Sequence, residues 1–130
     1  MDNREGLLSW NDVLRYHKTQ AGIHAPIEGG ADAQRSILTN TAHDAPYPDE
    51  EIAQGFYYIG EGQAGDQQPT RGNRGLINAE EHGYAIRVFE KVRTNVWSDR
   101  GYYAVVSHDY VQDAGGRRRL LRFHLRPIKG

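Results

Sequence analysis

The stretch QGFYYIGEGQAGDQQPTRGN, residues 54 to 73, joins an aromatic segment to a loop rich in glycine and glutamine. Its first part, GFYYIG, is rich in aromatic residues and predicts a β-strand that ends where the glycines begin. Gly60, Gly62 and Gly65 have the GxGxxG spacing of a dinucleotide-binding loop, but the DQQPTRGN that follows is not a helical pattern. We therefore interpret these glycines as backbone that turns sharply or lies close to a ligand.

The chain has 130 residues, which is enough for one domain with a modest core. It contains no cysteine, which excludes disulfides and thiolate metal sites. No apolar run approaches the roughly 18 residues that a membrane span needs, and MDNREGLLSW lacks the apolar centre of a signal peptide. We therefore expect a cytoplasmic protein without a membrane partner.

The charge is distributed unevenly although the formal net charge is only −1. Residues 1–70 contain four Lys/Arg and eleven Asp/Glu, whereas residues 71–130 contain twelve Lys/Arg and six Asp/Glu. Such asymmetry indicates a basic face that binds a polyanion. The alternative is that the two halves interleave in space and neutralise each other.

Sequence patterns predict more strands than helices. Ser9 is suited to cap a helix over SWNDVLRYH, and RGLINAEEHG predicts a short helix that ends at Gly83. Strands are predicted for RSILTN, YAIRVFEKV, GYYAVVSHDYVQ and RRRLLRFHLRPI, whereas TAHDAPYPDEEIAQ is predicted to be mostly loop. These elements predict a small α+β domain built on a curled sheet.

The sequence offers little for catalysis. Its six histidines have no HExxH or paired spacing, and scattered histidines are usually surface or hydrogen-bonded core residues. There is no GxSxG nucleophile motif. We therefore predict no catalytic residue, no metal site and no cofactor, and a small metal-dependent nuclease remains an alternative.

Two segments together suit a planar base. Tyr47 precedes Asp49 by two residues and Glu50 by three, and Tyr58 lies on the strand that leads into the glycines. Two rings can stack on a base, and a carboxylate can accept a hydrogen bond from its exocyclic amine. The alternative is that the tyrosines pack in the core and that PDEE is a solvated loop.

Five segments resemble, in order and spacing, the SRA domain (SET and RING associated, or YDG) of the PUA-like superfamily. They are QAGIH at 20–24, YPDEE at 47–51, FYYIGEGQAGDQ at 56–67, TRGN at 70–73 and RFHLRP at 122–127. The resemblance covers about residues 15–128 and is closest to the SRA-like domains of bacterial McrA-type enzymes that carry HNH nucleases. It implies one domain over residues 1–130 and a twisted β-barrel with a few flanking helices. It also implies binding of double-stranded DNA that contains 5-methylcytosine, with the modified base flipped out.

The resemblance implies a base pocket formed by Tyr47, Asp49, Glu50, Tyr58, Ile59, Gly60, Gly62 and Gln63. Tyr47 and Tyr58 are the expected stacking faces. Asp49 is the first choice for the cytosine amine, with Glu50 as the alternative. Because a pocket ring differs from a core ring, we expect Tyr58 to be replaceable without loss of the fold.

The resemblance also implies which segments contact the rest of the DNA. The segment expected to enter the duplex is AGIHAPI, residues 21–27, with Ala25, Pro26 and Ile27 nearest the space left by the flipped base. The expected phosphate contacts are Arg71, Arg74, Arg117, Arg118 and Arg119. Asn73 is interpreted as a purely structural residue.

The chain departs from the family pattern at three places. APY replaces the usual GGY, Ile59 replaces a common threonine, and the loop after Gly60 is too short to read the opposite strand. A PUA-like reader of another DNA or RNA modification remains an alternative. We expect a recognition module at the bacterial nucleoid, with any nuclease in another part of a longer parent protein or in a partner.

Overall fold

The computed structural model describes residues 7–39, 50–52 and 55–128. Within these ranges the helices are Trp10–His17 (α1) and Arg71–His82 (α2), with a short 3-10 helix at Gly30–Asp32. The strands are Leu7–Leu8 (β1), Ile23–His24 (β2), Ser36–Thr39 (β3), Glu50–Ile52 (β4), Gly55–Ile59 (β5), Ala85–Arg93 (β6), Val96–Gln112 (β7) and Arg119–Pro127 (β8).

Both helices have the ends that the sequence predicts. The backbone N–H of Asp12 donates to Ser9 Oγ at 3.2 Å, and the backbone N–H of Ser9 donates to Asp12 Oδ2 at 3.0 Å, which closes a capping box before α1. The bond from the Ser9 backbone N–H is the main cause that lowers the pKa of the Asp12 carboxyl, followed by a hydrogen bond with the Ser9 side chain. α2 ends at Gly83, whose φ of 73° is the left-handed conformation that glycine adopts readily.

The start of α2 differs from the prediction. The sequence predicts no helix in the DQQPTRGN segment, yet α2 begins at Arg71, inside it. Segment 41–54 was expected to be mostly loop, and its residues Glu50–Ile52 form β4. Both errors have a physical reason: short elements give little periodicity, and strand β4 exists only because β5 lies beside it.

The strands form one mixed sheet in the order β2-β3-β6-β7-β8-β5-β4, with β1 beside β7. β3 and β6 are parallel, and the other described pairs are antiparallel. Register shifts in the long strand β7, including one between Val105 and Ser107, are sites where such strands bend. The sheet curls into a half-barrel, which confirms the predicted α+β class.

Two hydrophobic clusters lie on opposite faces of the sheet. α2 covers the inner face, where Leu76 packs in one cluster with Phe56 and Phe123. α1 covers the outer face, where Val13 packs with Phe89 and Trp97. The inner cluster is the main core and determines which strand residues point inward. Among the described residues, no helix is long and apolar enough to cross a membrane.

Candidate nucleic-acid interface

The glycine-rich loop after β5 is fastened to the sheet by Gln67, which is buried. Its Nε2 donates to the carbonyl oxygen of Gly60 at 2.8 Å, and its Oε1 accepts from the backbone N–H of Leu121 at 2.8 Å. Gly60 also lies so close to Asn73 that a Cβ added there would be 2.5 Å from Asn73 Oδ1. The loop is therefore a compact, hydrogen-bonded turn against β8.

Asn73 joins the same loop to the first turn of α2. Its Oδ1 accepts from the backbone N–H of Glu61 at 2.9 Å, and its Nδ2 donates to the carbonyl oxygens of Glu61 and Gln68, each at 2.9 Å. Its side chain is buried and fully used, so its interpretation as a structural residue is confirmed. Glu61 Oε2 in turn accepts from the backbone N–H of Gly72 at 3.0 Å and takes the place of an N-cap side chain.

The β7–β8 hairpin also binds the glycine-rich loop, through the side chain of Arg118. Its Nη1 donates to the carbonyl oxygens of Gly62 at 2.8 Å and Gly65 at 3.1 Å, and its side chain is only 11% exposed. Arg118 is therefore a structural clamp, and this geometry does not support its predicted phosphate contact. Arg119 is exposed, and its backbone N–H donates to Asp66 Oδ1 at 2.7 Å. That bond is the main reason why the pKa of Asp66 lies below its usual value.

The other predicted phosphate residues differ in how they are used. Arg117 and Arg71 are exposed, and neither side chain forms an ion pair within the described residues. Arg74 is half-buried, and its Nε donates to the carbonyl oxygen of Pro69 at 3.2 Å. Arg71 opens α2 with a φ of 51°, which is unusual for a residue with a side chain. A cavity of about 540 Å³ lies beside it, between α2 and the loop, with Glu61 and Gln68 among its lining residues.

Tyr58 lies in the core as well as next to the loops. Its side chain is 6% exposed and belongs to the inner hydrophobic cluster. Its hydroxyl donates to the carbonyl oxygen of Gly22 at 3.2 Å. The expectation that this ring is not a core ring is therefore wrong. Its strand neighbour Ile59 is half-buried, and Gln63 in the following loop is exposed.

The segment next to Tyr58 is residues 18–22, which we call the edge turn. It connects α1 to β2, and Lys18, Gln20 and Ala21 are exposed in it. Its last three residues belong to the QAGIH segment of the resemblance, but the sequence does not indicate that they lie beside Tyr58. Only the contact between Tyr58 and Gly22 reveals that it borders the predicted pocket.

The three residues predicted to lie nearest the vacated base differ in burial. Ala25 is buried beneath α2, and Gly75 approaches it so closely that an added Cβ would be 1.7 Å from the Ala25 carbonyl oxygen. Pro26 is half-buried and Ile27 is 49% exposed. Asn78 Nδ2 donates to the carbonyl oxygen of Ile27 at 3.0 Å. Because a buried residue under a helix cannot enter DNA, we drop Ala25 from the insertion segment.

Three residues of the predicted pocket belong to the segment that leads into β4. Tyr47 and Asp49 lie outside the described residues. Glu50 begins β4, where its backbone is in register with Tyr57 of β5. The assignment of these residues to the pocket stays a prediction from the sequence.

The clusters that a metal enzyme would need are not found in the described part of the chain. No group of three or more His, Cys, Asp or Glu side chains there is arranged to hold a metal ion. His17 and His24 lie close together, with ring centroids 6.2 Å apart. Burial is the main cause that lowers the pKa of both imidazoles. Both are therefore neutral near pH 7 and unsuited to phosphate binding.

Comparisons with known proteins point to one family. The profile described as ScoMcrA-like, SRA domain matches residues 17–130. The SUVH5 SRA domain in complex with methylated CHH DNA is similar in structure, with a TM-score of 0.74 and 25% identity, over 92% of this chain and 81% of that one. The resemblance inferred from the sequence is thereby confirmed. Among curated proteins, none matches this chain.

Two longer structures contain the same fold. The modification-dependent TagI restriction endonuclease aligns with a TM-score of 0.77 and 24% identity, over 95% of this chain but only 48% of that one. SUVH6 of Arabidopsis thaliana in complex with SAM aligns with a TM-score of 0.70 and 25% identity, over 92% of this chain and 24% of that one. The fold described here is thus one part of each of these proteins.

Proposed function

This chain belongs to the ScoMcrA-like SRA domain family, and on that premise we propose that it binds double-stranded DNA containing a modified cytosine, flipping that base out of the helix. The modification that the proposal names first is 5-methylcytosine. The single observation that carries it is the family match over residues 17–130. The SUVH5 SRA domain, 25% identical, supports it because that structure is a complex with methylated DNA.

The proposed pocket is built around Tyr58. Its ring is held by the inner cluster and by the bond to Gly22, so its orientation is fixed before DNA arrives. Tyr47 is proposed as the second stacking face, and Asp49 or Glu50 as the acceptor for the cytosine amine. Ile59, Gly60, Gly62 and Gln63 are proposed to line the pocket beside them. Because the Tyr58 ring is already ordered, less side-chain entropy is lost when a base binds to it, which favours binding in a pocket over contact at a mobile surface side chain.

The energies involved limit how selective such a pocket is for the methyl group. Extruding a base costs a few kcal/mol, and stacking it on aromatic rings returns about 1–3 kcal/mol. A carboxylate that accepts from the amine adds about 1–3 kcal/mol of base choice. The methyl group itself contributes only about 0.8 kcal/mol on burial. We therefore expect a several-fold preference for methylated over unmodified cytosine.

The edge turn is proposed as the segment that contacts the space left by the flipped base. Three of its five residues are exposed, and its last residue, Gly22, bonds directly to Tyr58. Ile27 is the alternative because it is exposed and apolar. However, the Ile27 carbonyl oxygen is bonded to Asn78. Asn78 lies nearly two helical turns, or about 9 Å, along α2 from Gly72, where the helix contacts the glycine-rich loop. The edge turn is therefore the better placed of the two.

Affinity is proposed to come from exposed arginines around the loop. Arg117 and Arg119 lie at the hairpin, and Arg71 lies at the start of α2, where the helix dipole also favours an anion. Arg74 and Arg119 are weaker candidates than Arg117 and Arg71, because Nε of Arg74 already donates to Pro69 and Nε of Arg119 to Asp66. Phosphate contacts of this kind position the protein without reading sequence.

We further propose that residues 1–130 act as one recognition domain and do not cut DNA themselves. A nuclease would then act from another domain or from a partner, as in the McrA-type enzymes that the sequence resembles. Such a role would place the protein at the nucleoid of a bacterial cell.

The test is a binding panel of duplexes that differ only in one cytosine, which is unmodified, methylated or hydroxymethylated, at fixed salt. The proposal expects the tightest binding to a modified duplex. Equal affinity across the panel would overturn it. Adding divalent metal to the same mixtures tests the nuclease alternative, for which strand cleavage would be the signature.

A further inference from the structure

His17, the last residue of α1, is 0% exposed and uses both of its ring nitrogens. Nε2 lies 2.6 Å from the carbonyl oxygen of Ala21, and Nδ1 lies 2.7 Å from Oγ of Ser36 on β3. A carbonyl oxygen only accepts, so Nε2 carries the hydrogen and Nδ1 accepts from the Ser36 hydroxyl. The neutral ring therefore ties the end of α1, strand β3 and the edge turn together at one point.

The edge turn is held at two neighbouring positions. At Ala21 it is held by His17, and at Gly22 the carbonyl oxygen accepts from Leu38 N at 2.8 Å and from Tyr58 Oη at 3.2 Å. Between these anchors and α1 lie residues 18–20, of which Lys18 and Gln20 are exposed, and the backbone N–H of Ala21 donates to Thr19 Oγ1 at 3.1 Å. His17 is thus the buried anchor closest to the exposed part of the turn.

We propose that His17 positions the edge turn for entry into the space that the flipped base leaves, and so favours binding to paired over unpaired modified cytosine. The inference rests on the proposed function. His17 is a positioning residue, because it is fully buried and acts on DNA only through the Ala21 carbonyl. A turn that enters a base stack must keep its shape against the neighbouring bases, and ordering it beforehand lowers the entropy lost on binding.

A purely stabilising role for His17 makes a different prediction. A residue that only stabilises the fold changes affinity for every DNA by the same factor, through the folded fraction. A residue that positions the turn changes the ratio of the affinities for DNA with a paired and with an unpaired modified cytosine. The reason is that an unpaired base is already extruded more easily, so filling its place matters less.

The experiment compares wild type with His17→Leu on three duplexes at a temperature where both proteins are folded. The first carries 5-methylcytosine paired with guanine, the second carries it opposite an abasic site, and the third is unmodified. We expect His17→Leu to weaken binding of the first duplex about tenfold and of the second less than about twofold, because base extrusion is costly only in the first. Equal weakening of both, or no weakening of the first, would overturn the inference.

Two control variants separate the two hydrogen bonds of His17. His17→Gln keeps an N–H near the position of Nε2 and should restore binding of the first duplex to within about twofold of wild type. Ser36→Ala removes the partner of Nδ1 and should lower the melting temperature while leaving the ratio between the first two duplexes unchanged. If His17→Leu does not fold, His17→Asn replaces it, since the shorter amide keeps an acceptor for Ser36 but does not reach Ala21. A changed ratio in Ser36→Ala would contradict the assignment to Ala21.

Failure of the proposed function has its own signature in the same experiment. It appears in the wild-type protein as equal affinity for the first and third duplexes, and it would overturn the inference as well. The other outcome is that the wild-type protein prefers the first duplex over the third, while His17→Leu keeps the wild-type ratio of affinities for the first and second duplexes. That outcome overturns the inference but not the proposed function.

Discussion

The hydroxyl of Tyr58 on β5 donates to the carbonyl oxygen of Gly22, 36 residues earlier in the chain, at 3.2 Å. β5 and β2 lie near opposite ends of the strand order, so this bond joins the two ends of the curled sheet. The same ring is proposed to stack on the flipped base. One side chain thus joins the two ends of the half-barrel, and under the proposed function the same side chain links stability to recognition.

Tyr58 variants should separate these two roles. Tyr58→Phe removes the bond to Gly22 and should lower the free energy of unfolding by about 1 kcal/mol while keeping the preference for modified DNA. Tyr58→Ala removes a buried ring and should lower it by about 3–5 kcal/mol. Urea denaturation measures both values. Tyr57→Ala, at a half-buried neighbouring position, is the control, and a Tyr58→Ala protein as stable as wild type would contradict this account.

Asp49→Ala should reduce the affinity gap between methylated and unmodified duplexes and leave the salt dependence nearly unchanged. A carboxylate near a polyanion lowers affinity unless a base donates a hydrogen bond to it, so its removal affects base choice rather than phosphate binding. Titrations of both duplexes at several salt concentrations provide the measurement. If Glu50→Ala abolishes the gap and Asp49→Ala does not, Glu50 is the acceptor.

Replacing both Arg117 and Arg119 by glutamine should weaken the binding of methylated and of unmodified DNA alike. The slope of log K against log salt should become shallower by about 0.9 for each phosphate that the protein no longer neutralises. Arg118→Gln is the matched control: because Arg118 clamps Gly62 and Gly65, it should lower the melting temperature more than it changes the slope. An unchanged slope in the double variant would move the search for the DNA face to Arg71 and Arg74.

Arg71→Gly should weaken DNA binding without lowering the melting temperature. Arg71 has a φ of 51°, a conformation that glycine adopts without a steric penalty, so the substitution removes strain together with the charge. Calorimetry and a salt titration test the two halves of this prediction. A loss of stability would show that the Arg71 side chain supports the fold.

Stability should fall as the pH drops below about 6.5, the ordinary pKa of histidine. Burial lowers the pKa of His17 in the folded protein, so below this pH the unfolded chain binds a proton that the folded chain does not. The free energy of unfolding should then decrease by at most about 1.4 kcal/mol per pH unit on account of His17, and not change on its account at higher pH.

His17→Gln should flatten this dependence between about pH 6.5 and pH 5, above the range where carboxylates titrate. Urea denaturation across that interval measures it. His24→Gln is the comparison, because His24 is less buried and its pKa is lowered in the same direction. An identical pH dependence in wild type and His17→Gln would contradict the assignment.

The family, the α+β class, the cap at Ser9 and the end of α2 at Gly83 can all be predicted from the sequence. These features are local: a cap, a turn glycine or an alternating strand is encoded within a few residues, and five ordered segments carry the resemblance. The tertiary structure was needed to show that Tyr58 is buried, that Arg118 holds the loop and that the edge turn bonds to Tyr58. Each of those facts depends on residues far apart in the chain that the curling of one sheet brings into contact. The spacing of residues along the chain does not indicate which strand ends will meet. The burial and the hydrogen-bond partners of these side chains therefore follow from the packing of the sheet.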